Sequence, residues 1–290
     1  MLDRRRLLSG GAALAGGLAF GRRAEAATRA EIALAEQRGR FLVAVGLNAG
    51  RGYRFVLDTG SSAHFISDTL AAQLKLPHVD TRTVRGVTGA GTASVVRVNR
   101  FDVGGRALTG TRAITRSADA LEGHDGLIGY PILGARARID LAAGRLSLDA
   151  DTSPGALAVD AEVSDRQALL LGGPPGAEGR FVFDTGSQDC VVSPAYLERL
   201  RATEAYRGAP KLMEANEQYQ LRMVGFRAAE MRFGDLVVRD AAVMFPRRDV
   251  SVEVFQGADA LFGVSLIRRN PWIVDASRAT LHALARTVDA

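Results

Sequence analysis

The sequence has few of the residues that cross-link small domains or bind metals. Among 290 residues there is one cysteine, Cys190, so no internal disulfide can form. The four histidines are scattered, and neither a CxxC nor an HExxH pattern is present, which argues against a zinc site. Aromatic residues make up only 6% of the chain. We therefore expect a fold that holds without covalent cross-links or a metal ion.

The excess of positive over negative charge is also small once the N-terminus is set aside. Five arginines and two acidic residues in the first 26 positions account for +3 of the net charge of +5, which leaves +2 for the remainder. No basic stripe interleaved with aromatic residues is present, so the sequence argues against a nucleic-acid partner. We interpret the scattered arginines as solvated surface.

The N-terminus has the pattern of an export signal. Arg4-Arg5-Arg6-Leu7-Leu8 is followed by a glycine- and alanine-rich apolar run to Phe20 and then by Ala24-Glu25-Ala26, an A-x-A cleavage site. The arginines before the apolar run resemble a twin-arginine signal, and an ordinary secretory signal is the alternative. The apolar run is too short to predict a stable membrane span in the mature chain. We expect residues 1–26 to be a signal peptide and the protein to be exported to a bacterial periplasm or beyond.

The rest of the chain is an internal repeat. Phe55–Ser61 (FVLDTGS) is matched by Phe181–Ser187 (FVFDTGS) at a shift of 126 residues. Further pairs follow in the same order, with the shift rising to 135: Asp125–Gly129 with Asp259–Gly263, and Ile139–Asp140 with Val274–Asp275. The repeat unit is domain-sized. We expect two related domains, at residues 27–150 and 151–290, joined by a Ser-Pro-Gly link.

Short apolar, β-branched runs separated by glycine turns predict an all-β fold. Arg40–Leu47 and Tyr53–Leu57 flank a hairpin signal in the first half. A short helix is predicted after each DTG segment, with Ser67 and Ser193 as N-caps and Pro194 at the first helical position of the second.

Two DTG triplets in register indicate a shared chemistry at Asp58 and Asp184. Hydrolysis of an amide by carboxylates needs two of them within reach of one water molecule. One is ionised and takes the proton of the water, while the other is protonated and polarises the scissile carbonyl. Two carboxyl groups that are close enough to share one water molecule cannot both ionise, because their charges repel each other. The pair is therefore expected to share one proton. Asp58 and Asp184 are therefore the predicted catalytic residues.

The neighbouring loop residues have predicted supporting roles. The threonines are expected to cross-link the two loops, the glycines to permit close approach of the backbones, and the serines to hydrogen-bond the outer carboxylate oxygens. These residues are Thr59, Gly60 and Ser61 in the first loop and Thr185, Gly186 and Ser187 in the second.

With these motifs the chain resembles the aspartic peptidases, both pepsins and retropepsins. In that superfamily DTG is followed by Ser or Ala, and later by two apolar residues and a glycine, here Leu127-Ile128-Gly129 and Leu261-Phe262-Gly263. The resemblance implies two acid-protease β-barrel lobes in one chain, related by a pseudo-two-fold axis, with a cleft between them. It also implies peptide or protein substrates and no metal or organic cofactor. Because one chain carries both halves, we expect a monomer.

The resemblance further implies a glycine-tipped hairpin, the flap, that closes over the substrate. The first half offers Gly86, Val87, Thr88, Gly89, Ala90 and Gly91 for this role. The counterpart around Met213–Tyr219 has no glycine, so one flap is expected. Unlike the pepsin flap, the segment has no tyrosine between residues 81 and 98.

Other interpretations remain open at this point. His64 and Cys190 both lie six residues after their aspartates, which allows a nucleophilic pair, although a buried cysteine is the simpler interpretation. Asp125 and Asp259 are interpreted as structural. The predicted function is an aspartic endopeptidase. The alternative is a catalytically silent module of the same fold that binds extended peptides or cell-envelope components.

Overall fold

The computed structural model describes residues 31–48, 50, 52–86, 89–151, 155–216, 221–246, 255 and 257–285. The predicted signal peptide, residues 1–26, lies outside the described residues, and so does the predicted Ser-Pro-Gly link except for Gly155. No helix in the described part of the chain has the length and apolar character that crossing a bilayer requires.

The fold is all-β, as predicted, with 56% of the residues in strands. The first half contains eleven strands and one α-helix in the described residues. In chain order these are β1 (Glu31–Ala33), β2 (Ala35–Gln37), β3 (Arg40–Leu47), β4 (Gly52–Asp58), β5 (His64–Ser67), α1 (Asp68–Gln73), β6 (His78–Gly86), β7 (Gly89–Val103), β8 (Arg106–Arg116), β9 (Gly126–Gly129), β10 (Arg136–Asp140) and β11 (Arg145–Leu148).

The second half repeats this order with two additional short helices. Its elements are β12 (Ala156–Val159), β13 (Ala161–Val163), β14 (Ala168–Gly172), β15 (Gly179–Phe183), β16 (Cys190–Val192), α2 (Pro194–Arg201), α3 (Glu204–Arg207), β17 (Lys211–Asn216), β18 (Leu221–Phe233), β19 (Leu236–Pro246), β20 (Ala260–Phe262), α4 (Val264–Ile267), β21 (Trp272–Asp275) and β22 (Thr280–Leu284).

Each half forms an eight-stranded sheet, and the two sheets have the same strand order. The first is β2-β3-β4-β9-β5-β8-β7-β6, and the second is β13-β14-β15-β20-β16-β19-β18-β17. An additional pairing of β3 with β7 closes the first sheet into a barrel. The repeat in the sequence is therefore a repeat in topology.

A third sheet of six strands joins the halves. Its order is β1-β11-β10-β21-β22-β12. The first three strands come from the first half and the last three from the second, and the halves meet where β10 pairs with β21. At that junction Ala137 is paired with Val274 and Ile139 with Trp272, and all four side chains are buried. The two sheets that carry the DTG loops are thereby tied to one apolar base.

The N-caps of the two matching helices are confirmed. Ser67 Oγ accepts a hydrogen bond from the backbone N–H of Leu70 at 3.1 Å, and Ser193 Oγ accepts one from Tyr196 at 3.2 Å. Each cap satisfies one of the N–H groups that a helix leaves unpaired at its start. Pro194 occupies the first turn of α2, as predicted. The caps fix where the chain turns back after each DTG loop.

Hairpins occur at the flap position in both halves. Strands β6 and β7 pair up to Gly86 and Gly89, with Val87 and Thr88 outside the described residues. Strands β17 and β18 pair in the same way up to Asn216 and Leu221. Paired strands are thus present at both positions, and the prediction that only the first hairpin acts as a flap stays a prediction.

Candidate active site

The two aspartates occupy equivalent places at the ends of buried parallel strands. Asp58 is the last residue of β4, paired in register with Gly129 of β9. Asp184 follows β15, and its N–H donates to the carbonyl of Phe262 in β20 at 3.1 Å. Strands β4 and β15 are buried on both faces just before the aspartates, so each carboxyl is held at the end of a rigid element.

The two DTG loops are cross-linked through their threonines. Thr59 Oγ1 donates to the carbonyl of Phe183 at 2.6 Å, and Thr185 Oγ1 donates to the carbonyl of Leu57 at 2.8 Å. Each hydroxyl also accepts the backbone N–H of the other threonine at 3.0 Å. Both threonines are buried, so their polar groups depend on these four bonds. The network fixes one loop relative to the other.

The loop glycines bring each loop against the carboxyl group of the other. A Cβ atom on Gly60 would lie 2.4 Å from Cγ of Asp184, and one on Gly186 would lie 2.4 Å from Cγ of Asp58. Neither approach is possible for a residue with a side chain. The carboxyl groups thus face each other across a backbone contact that requires glycine on both sides.

The carboxyl groups of Asp58 and Asp184 lie within hydrogen-bond reach of each other, so the ionisation of one affects that of the other. Burial raises the pKa of Asp58 well above its ordinary value, and the charge and hydrogen bond of Asp184 raise it further. Burial also raises the pKa of Asp184, but the N–H of Gly186, which donates to its Oδ1 at 2.8 Å, and the hydrogen bond from Asp58 lower it. Both pKa values are raised, and the larger rise at Asp58 favours it as the protonated member of the pair.

The serines of the two loops do not have the predicted contact. Ser61 Oγ donates to the carbonyl of Ala63 at 2.9 Å, and Ser187 Oγ donates to the carbonyl of Asp189 at 2.9 Å. A hydroxyl has a single hydrogen, so neither serine has one left for a carboxylate. Their role in this structure is to shape the turn that follows each DTG triplet.

The two apolar-apolar-glycine segments pack directly under these turns. A Cβ on Gly129 would lie 2.2 Å from the carbonyl oxygen of Ala63, and one on Gly263 would lie 2.1 Å from that of Asp189. The next residue in each segment, Tyr130 or Val264, donates its N–H to the serine carbonyl of the loop above at 2.8 Å. The second sequence motif is therefore the support of the first.

Asp125 and Asp259 are structural, as interpreted from the sequence. Asp125 Oδ2 accepts the N–H of Arg54 at 2.9 Å, and Asp259 Oδ2 accepts the N–H of Arg180 at the same distance. Asp259 also pairs with the guanidinium of Arg199 at 2.7 Å. These carboxylates hold the start of β4 and β15 rather than the end where the DTG loops lie.

Cys190 and His64 are buried within their respective halves. Cys190 is fully buried in β16, and burial raises the pKa of its thiol well above the usual range. His64 is buried in β5, with its ring stacked on Phe101 at 5.3 Å. A thiol in such surroundings is not nucleophilic, so the Cys–His interpretation is wrong.

Arg40 is a residue of the site that the sequence motifs did not reveal. Its guanidinium donates to the carbonyl of Gly186 and forms a two-pronged ion pair with Glu122. In the sequence it is one of many arginines, at the start of an apolar run, and only its burial distinguishes it. Among the described residues, no group of three or more His, Cys, Asp or Glu side chains is arranged to hold a metal ion.

Comparison with known families gives a result that agrees with this geometry. Residues 43–132 match the family model described as aspartyl protease. This match supports a place for the chain in the aspartic peptidase superfamily. The matched segment contains the first DTG loop and Leu127-Ile128-Gly129, while the second loop, centred on Asp184, lies beyond it. No curated protein matched the chain. At the level of the family, the match indicates an aspartic-protease-like function.

Proposed function

We propose that the protein is an aspartic endopeptidase in which Asp58 and Asp184 activate one water molecule between them. The observation that carries the proposal is the hydrogen-bonded contact of the two carboxyl groups, one from each half, at loops that are locked by four threonine hydrogen bonds. Both DTG triplets retain all three residues. Structural aspartates at turns would need neither the contact nor the lock.

The shared proton assigns a role to each carboxyl group. Ionised Asp184 accepts a proton from the water as its oxygen bonds to the scissile carbonyl carbon, and Asp58 gives its proton to the carbonyl oxygen. The resulting tetrahedral intermediate then loses its amine. The leaving nitrogen takes the proton held by Asp184, and the hydroxyl proton returns to Asp58 as the new carboxyl group forms. One peptide bond and one water molecule are consumed, and the aspartate pair regains its starting state.

The arrangement supports further parts of the proposal. Both aspartates come from one chain, so a monomer is sufficient for activity. The hairpin of β6 and β7, including Gly86, Gly89, Ala90 and Gly91, is proposed as the flap that covers a bound peptide. Residues 1–26 are proposed as a twin-arginine export signal, which would place the mature enzyme in the periplasm or outside the cell.

The test is cleavage by the wild type and by Asp58→Asn, Asp184→Asn and the double variant. Denatured casein and a peptide library are incubated with each protein from pH 3 to 8. Asp149→Asn is the matched control, because Asp149 is 72% exposed. We expect each active-site variant to lose at least about a thousandfold in rate while its unfolding temperature stays near that of the wild type. The control should cleave normally.

Two outcomes would contradict the proposal. Cleavage by the double Asn variant would refute the carboxylate mechanism. A wild type that binds peptides but cleaves none of them over this pH range would instead favour a silent, peptide-binding member of the superfamily.

A further inference from the structure

Arg40 is an arginine buried at the boundary between the two halves. It is the first residue of β3 and is 9% exposed, whereas arginine is rarely buried unless it is paired. Its Nη2 and Nε donate to the carboxylate of Glu122 at 2.9 and 3.3 Å, and its Nη1 donates to the carbonyl of Gly186. One planar guanidinium therefore connects an acidic residue of the first half to the DTG loop of the second.

The turn that precedes Arg40 contacts the same loop. Gln188 Nε2 donates to the carbonyl of Arg38 at 2.7 Å. Gly39 has a φ of +72°, and a Cβ there would lie 2.7 Å from Gln188 Nε2, so the turn is seated closely on that side chain. The segment of three residues from Arg38 to Arg40 thus lies on the segment from Gly186 to Gln188, which begins two residues after Asp184. Arg40 is held in place by the backbone on one side and by Glu122 on the other.

The positive charge of Arg40 acts on both catalytic candidates. It lowers the pKa of Asp58 and that of Asp184, against the larger effect of burial, which raises both. The other charged groups around Arg40 are Glu122 and His124, and His124 also faces Arg54 and Asp125. Burial lowers the pKa of His124, so this ring is neutral at neutral pH. Among the described residues, Arg40 is the cation whose charge lowers the pKa of both aspartates in that range.

The position of the second half that corresponds to Arg40 carries no charge. Leu42 pairs with Val56 in the first sheet, and Leu169 pairs with Val182 in the second, so the residue that corresponds to Arg40 is Gln167. A neutral side chain stands where the first half has a guanidinium. The electrostatic environment of the site is therefore asymmetric, although its backbone is a repeat.

We propose that Arg40 is a positioning residue for the peptidase reaction, which fixes the second DTG loop through Gly186 and sets the pH range in which the aspartate pair holds a single proton. The inference rests on the proposed function. Catalysis requires the singly protonated pair, so the low-pH and high-pH limbs of the rate profile mark the two ends of that range. A nearby cation favours ionisation and moves both limbs to lower pH.

The experiment compares Arg40→Met, Arg40→Gln and Arg40→Lys with the wild type. The control is Arg227→Met, which removes an arginine from an ion pair with Asp240 in which the side chains are 45% and 73% exposed. For each protein kcat and kcat/KM are measured from pH 3 to 8 with one peptide, and the unfolding temperature is recorded at each pH. Arg40→Gln retains a donor for the carbonyl of Gly186 without the charge. It therefore tests the effect of the charge even if Arg40→Met does not fold.

We expect both limbs to move to higher pH by about one unit in Arg40→Met and Arg40→Gln, which is the low end of the effect of one nearby charge. In Arg40→Lys the limbs should stay within about 0.3 pH unit of the wild type, because an ammonium group keeps the positive charge. We expect kcat to fall about tenfold, because a single ammonium nitrogen cannot replace the planar guanidinium that bonds Glu122 and Gly186 together. Arg227→Met should match the wild type. Wild-type limbs in a folded Arg40→Met or Arg40→Gln variant would overturn this inference alone, whereas a wild type that cleaves no peptide would overturn the proposed function as well.

Discussion

The backbone N–H of Gly129 donates to Nδ1 of His64 at 3.1 Å, and the imidazole that receives it is only 5% exposed. A ring nitrogen can accept this bond only when it carries no proton. Burial accordingly lowers the pKa of His64 to about 4. Because Gly129 is paired in register with Asp58, protonation of this histidine would disturb the strand that supports the first DTG loop.

We therefore predict that His64 makes the protein less stable as the pH falls. In the unfolded chain a histidine takes up a proton below about pH 6.5, whereas in the folded protein His64 does so only below about 4. Stability should decline between these values, by about 3 kcal/mol in total from this group, and His64 should cause no further decline below them. Urea unfolding at a series of pH values from 3.5 to 7.5 measures the decline.

The variant His64→Gln separates this effect from other acid-sensitive groups. Its amide oxygen can still accept the N–H of Gly129 but does not titrate, so the decline between pH 6.5 and 4 should be smaller than in the wild type. His78→Gln, at an exposed position of β6, is the control and should retain the wild-type decline. An unchanged decline in His64→Gln would refute this account.

The sequence predicts the local parts of this site better than its long-range contacts. The DTG loops, the helix caps at Ser67 and Ser193 and the repeated topology all follow from patterns of a few residues that occur twice. The contact of Arg40 with Gly186 joins positions that are 146 residues apart. Because the residue corresponding to Arg40 in the second half is Gln167, the repeat in the sequence does not predict this contact. The predicted partners of the serine hydroxyls are wrong, because motif spacing does not tell which of two nearby acceptors a rotatable hydroxyl reaches.

Asp275 is predicted to stabilise the sheet shared by the two halves. Its carboxylate is fully buried and accepts hydrogen bonds from Arg136 Nε at 2.8 Å, from Ser277 Oγ and from the N–H of Arg278. Burial raises its pKa, but these hydrogen bonds and the charge of Arg136 lower it more, so the net pKa is below the ordinary value. The stabilisation is therefore complete above about pH 4, the pKa of an unfolded aspartate, and is lost as the pH falls through the lower folded value.

The variant Asp275→Asn should lower the free energy of unfolding by about 3 kcal/mol at pH 7, because it leaves the Arg136 guanidinium without its carboxylate. Asp140, the equivalent residue of the first half, is half-buried and accepts the N–H of Ala143 at 3.1 Å. Asp140→Asn should therefore cost less, about 1 kcal/mol. Equal losses in the two variants, measured by urea unfolding, would show that the buried ion pair has no special role.

Gly60 and Gly186 should tolerate no side chain. In either alanine variant the methyl carbon would begin 2.4 Å from the Cγ atom of an aspartate in the opposite loop, so the loops must separate. A displacement of about 1 Å at a catalytic group can reduce the rate a hundredfold, and we expect at least that loss in kcat for Gly60→Ala and Gly186→Ala. Gly208→Ala is the control, because its nearest neighbour would be 3.5 Å away and its φ of −81° suits alanine. Wild-type turnover by Gly60→Ala would mean that the aspartates work at a larger separation than the structure has.

The threonine cross-links predict a difference between two variants of Thr185. Thr185→Ser keeps the hydroxyl that donates to the carbonyl of Leu57 and accepts the N–H of Thr59, and should lose only about 1 kcal/mol of stability for the missing methyl group. Thr185→Val keeps the shape of the side chain but leaves both hydrogen-bond partners buried and unpaired, which should cost about 2–4 kcal/mol of stability.

Thr59 and Thr185 share one hydrogen-bond network, so their substitutions should not be additive. The loss of stability in a Thr59→Val/Thr185→Val protein should be smaller than the sum of the two single losses. Urea unfolding and kcat together test this, because a lock that matters for catalysis must lower kcat in the valine variants that remain folded. If valine and serine at position 185 had equal stability and equal turnover, the hydroxyl network would not be what holds the two aspartates together.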